Sequence, residues 1–130
     1  MQPPIMLPLN LNYGGQRSGC LRWQTGGPPS DVDLTGCTVT ASIWQPQNFM
    51  NPLVTISQTL NAYGVLTIST YSNAPVPSLI SWQWLPAAVA ALGLAPPLDE
   101  IRLSWGLNIT FPATPTAPEA LIRGPCTVRP

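Results

Sequence analysis

The longest alternating run lies between Glu100 and Phe111. Ile101, Leu103, Trp105, Leu107, Ile109 and Phe111 share one phase, and Arg102, Ser104, Gly106, Asn108 and Thr110 share the other. Successive side chains of an extended chain point to opposite faces, so this run predicts a strand with one buried and one polar side. Cys37 to Gln45 repeats the pattern, with Val39, Ala41 and Ile43 against Thr38, Thr40, Ser42 and Trp44. Val54 to Leu60 follows, and Asn61 to Gly64 reads as the turn of a hairpin into Val65 to Thr70. Ile5 to Asn12 and Gly19 to Gln24 are two further strands, and Glu119 to Val128 closes the chain. Pro8 confines the first strand to an edge, and Pro125 implies an edge or a bulge in the last.

One stretch departs from this alternation. Pro86 to Leu92 (PAAVAAL) has proline at a first-turn position and Gly93 just past its end, which predicts a short helical turn. The preceding segment, Tyr71 to Trp84, has no clean period and reads as a long loop or irregular strand. Short alternating runs punctuated by proline and glycine predict an all-β sandwich or barrel of about seven strands. No repeat or internal boundary interrupts it. Residues 1–12 form a Pro-rich N-terminal arm or edge strand, and residues 13–130 a single β-sandwich domain.

Charge changes the picture of the surface. Only 8% of the 130 residues are charged, against roughly 25% in ordinary soluble domains. There is no lysine or histidine, and five arginines balance five acidic residues. A net charge near zero favours association, so copies of the chain and other proteins are the expected partners. Nucleic acid is not expected, because displacing counterions from phosphates takes clustered cations and these arginines are scattered. No membrane is expected either, since no apolar run reaches a spanning length. The start of the chain has no basic n-region and is not read as a signal peptide.

Candidate chemistry is sparse. Without histidine, general acid–base work would need a carboxylate held beside another charge. Asp31 with Asp33, and Asp99 with Glu100, are the close carboxylate groupings. The first pair sits in a Gly/Pro loop before a strand, where its oxygens are expected to cap turn amides. The second reads as a solvated strand start. Cys20, Cys37 and Cys126 show no CxxC spacing, and buried free thiols are the expected state, with a Cys20–Cys37 or Cys20–Cys126 bridge as the alternative. No enzyme activity, cofactor or metal is expected. Trp105 and Trp23 belong to the core by phase. Trp44 lies on the polar phase of its strand, and Trp82 and Trp84 in the irregular segment, so these three are candidate contacts for another protein or for a glycan. Ile5, Met6 and Leu7 join them, because residues 1–11 carry no charge and suit an arm packed on a neighbour.

The order of these parts is familiar. Val32-Asp33-Leu34-Thr35-Gly36-Cys37 leads into a strand, Gly64-Val65-Leu66-Thr67-Ile68 follows, then the Ala-rich turn. Leu107-Asn108-Ile109-Thr110-Phe111-Pro112 and Leu121-Ile122-Arg123-Gly124-Pro125-Cys126-Thr127-Val128 close the chain. This resembles a group of small bacteriophage virion proteins with a D-L-T-G turn before a strand and a closing L-x-I-x-x-P … L-x-x-G-x-x-x-V pair. It is also similar to the N-terminal module of phage baseplate upper proteins. The resemblance spans Tyr13 to Val128 and implies an immunoglobulin-like sandwich, a virion location, and a non-enzymatic role joining fibre or adaptor proteins to a tail or baseplate. Capsid decoration, or a glycan- or receptor-binding module, are the alternatives. In the turn, Asp33 and Thr35 are expected to satisfy amides, Gly36 to take positive φ, and Leu34 to plug the end of the core.

Overall fold

The computed structural model describes residues 4–48, 50–92 and 100–129. Gly93, Asp99 and the first three residues of the expected arm lie outside the described residues.

The strands in chain order are β1 (Ile5–Met6), β2 (Leu9–Asn12), β3 (Arg17–Arg22), β4 (Gln24–Thr25), β5 (Ser30–Asp31), β6 (Thr38–Trp44), β7 (Val54–Ser57), β8 (Gly64–Ser69), β9 (Leu79–Trp84), β10 (Ile101–Thr110) and β11 (Glu119–Arg129), with the helix α1 (Pro86–Ala91) between β9 and β10. Six strands form one sheet in the order β1-β11-β10-β6-β7, with β2 also on β11; β3-β9-β8 form the second sheet, and β4-β5 a small ribbon. The strand order is that of an immunoglobulin-like sandwich.

The inner faces follow from the alternation. Val39, Ala41 and Ile43 of β6 and Leu103, Trp105, Leu107 and Ile109 of β10 are buried, while the intervening residues of β6 face outward. Trp105 meets Trp82 of the opposite sheet with ring centroids 5.5 Å apart. One continuous core therefore joins the two sheets.

Three expectations change here. Tyr71 to Trp84 is not irregular throughout: β9 is the regular central strand of the small sheet, antiparallel to both β3 and β8. Its inward residues are Ile80, Trp82 and Trp84, all buried. The expected hairpin between Val54 and Thr70 does not form either. The Asn61 turn is present, with Asn61 Oδ1 accepting from the amides of Tyr63 and Gly64, yet β7 pairs with β6 and β8 with β9. The turn is a corner that carries the chain from one sheet to the other. Finally, Asp31 does not cap a turn. Its carboxylate takes a two-pronged contact from Arg22 at 2.8 and 3.0 Å.

The N-terminal edge is built by proline and glycine together. β1 and β2 both run parallel to β11, end to end along its free side. Pro8 has no N–H to give the ladder, and the break between the two strands falls there. Leu7 bridges it, its N–H donating to the Arg123 carbonyl at 3.0 Å. Opposite, Gly124 lies so close to the Leu7 carbonyl that a Cβ would collide with it. Leu9 and Leu11 are buried in this chain's own core.

Candidate functional site

On the outer face of the large sheet β6 and β7 present Thr38, Thr40, Ser42, Thr55 and Ser57, with Trp44 the one large side chain among them. Gly106 on β10 stands between Arg123 on β11 and Ser42 on β6. A Cβ on Gly106 would collide with Arg123 Nη1 and come within 2.9 Å of Trp44 Cη2. The missing side chain lets two large ones meet. The Arg123 guanidinium lies 5.5 Å from the centroid of the Trp44 ring, within cation–π range.

Arg123 is held as well as placed. Its Nη2 donates to Asn108 Oδ1 at 2.8 Å, and its Nη1 to the Ile122 carbonyl at 2.9 Å. Burial pushes its pKa down from the ordinary value, although a guanidinium stays charged in proteins. Among the described residues the ion pairs are Arg22–Asp31, Arg102–Glu100 and Arg129–Glu100. None involves Arg123.

Met6 is the ladder partner of Arg123 on its other side and is 70% exposed. With Trp44, Ser104, Arg123, Gly124 and Pro125 it lines a groove of about 370 Å³. A broader concavity of about 550 Å³ lies on the outer face of the small sheet, lined by Ser18, Cys20, Val65, Thr67, Ser81 and Gln83 among others. None of these six is Asp, Glu, Lys or Arg.

Of the expected contact residues, the fold brings Met6 and Trp44 together. It does not bring the three tryptophans to one face. Trp82, at 6% exposure, and the fully buried Trp84 point inward from β9, because their shared phase is that of Ile80 in the core. That corrects their reading as surface contacts. Ile5 is exposed but precedes Met6 by one residue on the same strand, so it points to the opposite side. Leu7 packs against the core. The Asp33–Gly36 turn lies at the other end of β6 from Trp44. There Asp33 Oδ1 accepts from the Thr35 amide at 3.0 Å and its hydroxyl at 2.6 Å, Gly36 has φ +77°, and Leu34 is buried.

Sequence reasoning passed over Arg123. Local sequence reads Leu121-Ile122-Arg123 as an ordinary strand, and a register shift hides the phase: Leu107 pairs with Ile122 but Asn108 with Ala120. The available signal was Gly106, a glycine in the polar phase of the clearest strand, where something must approach closely.

The thiols are unbridged. Cys37 and Cys126 are buried and Cys20 is exposed, which corrects the expectation of burial for Cys20. Among the described residues no group of three or more His, Cys, Asp or Glu side chains is placed to hold a metal ion. None of the described helices is long and apolar enough to cross a membrane. No protein-family model matches the chain, and a search of curated proteins finds no significant match.

Proposed function

We propose that this chain is a non-enzymatic structural module of a bacteriophage particle, a tail or baseplate component that joins fibre or adaptor proteins. The observation that carries the reading is the groove at Arg123. Tryptophan and arginine, with methionine beside them, are the residues that dominate protein–protein contacts. Here they stand together on a sheet face whose chain has almost no charge to keep other proteins away. The immunoglobulin-like strand order and the order of the D-L-T-G turn and closing strands support the same reading. A rigid sandwich also suits a joint, because its two faces and free edges are fixed relative to one another by one core.

The test is gold labelling of intact virions with an antibody to this chain, imaged by electron microscopy and paired with mass spectrometry of purified particles. Label at the tail tip or fibre bases is the expected result. Label over the head would assign a capsid-decoration role instead. A chain missing from particles by both methods would overturn the virion reading.

A further inference from the structure

We infer that the outer face of the large sheet docks an acidic, extended segment of another protein, whose carboxylate meets Arg123 while a neighbouring apolar side chain fills the groove beside Trp44 and Met6. This rests on the reading of the chain as a joining module and names the chemistry of what it joins.

Arg123 carries a charge that no carboxylate among the described residues pairs with. An arginine carries five N–H donors, and the two contacts to Asn108 and Ile122 leave the others without a protein acceptor. No carboxylate among the described residues reaches this guanidinium, although Arg22, Arg102 and Arg129 each have one. A half-buried cation has lost part of its hydration and gains more from a carboxylate than an exposed one would. The guanidinium is also fixed before any partner arrives, by two hydrogen bonds and the Trp44 ring over Gly106. Little side-chain entropy remains to be lost on binding.

The rest of the groove sets the second requirement. Met6 is largely exposed and Pro125 exposed, so they give the groove apolar walls, and a thioether adapts its shape to an incoming side chain. A carboxylate next to an apolar residue is thus the complementary pair. A second copy of this chain fits poorly. A two-fold contact through this patch would place Arg123 near its own copy, and like charges at an interface core are costly. Phosphates of a nucleic acid would need several unpaired cations where the groove holds one. A sugar ring would need an open stacking platform, yet one face of Trp44 is taken by the guanidinium.

The experiment is selection of a random twelve-residue peptide library on the full chain, followed by titration of the enriched peptides and observation of the Trp44 indole N–H by NMR. Enriched peptides should carry Asp or Glu beside an apolar residue and shift the Trp44 signal. Replacing that acid by its amide should weaken binding about tenfold or more, and Arg123→Gln should do the same. Arg123→Lys, which keeps the charge and loses the planar fork, should bind more weakly than the parent chain and more tightly than Arg123→Gln. Thermal melting of both variants separates lost binding from lost folding. Enriched peptides without acids, equal binding to Arg123→Gln in a folded chain, or no enrichment at all would overturn the proposal. So would a uronic-acid oligosaccharide that displaces the peptides at lower concentration than they bind. If the proposal fails while the chain is still found in purified particles, only this docking face is wrong; absence from particles removes the virion reading itself.

Discussion

Trp105 donates its indole N–H to the carbonyl oxygen of Leu7 at 2.8 Å, across 98 positions of sequence. The ring stands opposite Gly124 in the β10–β11 ladder and reaches the N-terminal edge past a residue with no side chain. A core tryptophan therefore ties down the break between β1 and β2, where Pro8 leaves the ladder unpaired. Trp105→Phe removes the donor and part of the core volume, at a cost of about 2–4 kcal/mol. Gly124→Ala drives a methyl into the same Leu7 carbonyl. Both variants should speed hydrogen exchange in β2 more than in β6. Their effects should not add, because both break one contact. Uniform exchange across the sheets in either variant would mean the edge is held by other contacts.

The Asp33–Gly36 turn makes a graded prediction. Gly36 at φ +77° is in the left-handed region, and a Cβ there would touch Pro112 Cγ at 3.4 Å, which is ordinary contact. Backbone strain rather than crowding should then set the cost. Gly36→Asn should be mildest and Gly36→Ala should cost about 1–2 kcal/mol, with the β-branched Gly36→Val costing more. Urea denaturation of the three variants checks the order. Equal stability of Val and Asn variants would contradict the strain argument.

These two elements also mark where the sequence was informative. The D-L-T-G turn and β10 were legible because both are local: a side chain two residues from its amide, and a period of two with no interruption. β9 carries the same alternation, with Ile80, Trp82 and Trp84 against Leu79, Ser81 and Gln83, but the preceding loop with Pro75 and Pro77 masked its start. The Asn61 turn was legible and its consequence was not. Whether two consecutive strands pair or part into opposite sheets depends on which partner each finds, and here each takes the strand on its other side, β6 for β7 and β9 for β8, which the turn itself does not encode. At the candidate site, Trp44 was exposed by its phase. Arg123 was hidden by the bulge that turns both Leu121 and Ile122 inward.

Acid should destabilise the fold, and neutral pH should not matter. The Asp31 carboxyl is held below its ordinary value by Arg22, Asp33 by the Thr35 hydroxyl and amide, and Glu100 by Arg102 and Arg129. All three pKa values are lower folded than unfolded, so on acidification the unfolded chain takes up protons first. The stabilisation is fully present above the ordinary carboxylate range, near pH 4, and is lost as pH falls through the lowered folded values. With no histidine in the chain, melting temperature should be flat between about pH 5 and 8. Asp33→Asn keeps an oxygen for the Thr35 amide but removes the titration. Its melting temperature should therefore fall less steeply than the parent's below about pH 4. Superimposable acid limbs would show that Asp33 contributes nothing to the acid sensitivity.

The three thiols should separate cleanly by reactivity. Only a thiolate attacks an alkylating agent or a disulfide reagent, so both ionisation and access count. Burial pushes the Cys126 thiol up to about 12 and raises Cys37 as well, with the negative charge of Asp33 adding to the latter. At pH 8 a thiol of pKa about 12 is thiolate only about once in ten thousand molecules, and its sulfur lies in the core besides. Cys20 faces outward from β3 and meets solvent. Iodoacetamide at pH 8 should thus label one cysteine of the native chain quickly, and mass spectrometry should place the label on Cys20. In denaturant all three should react. Slow labelling under native conditions would then report opening of the turn before β6 for Cys37 and of β11 for Cys126, and for Cys126 the rate should rise in Gly124→Ala, since that strand is the one β2 covers. Rapid native labelling of Cys126 in the parent chain would contradict the packing of β2 against β11.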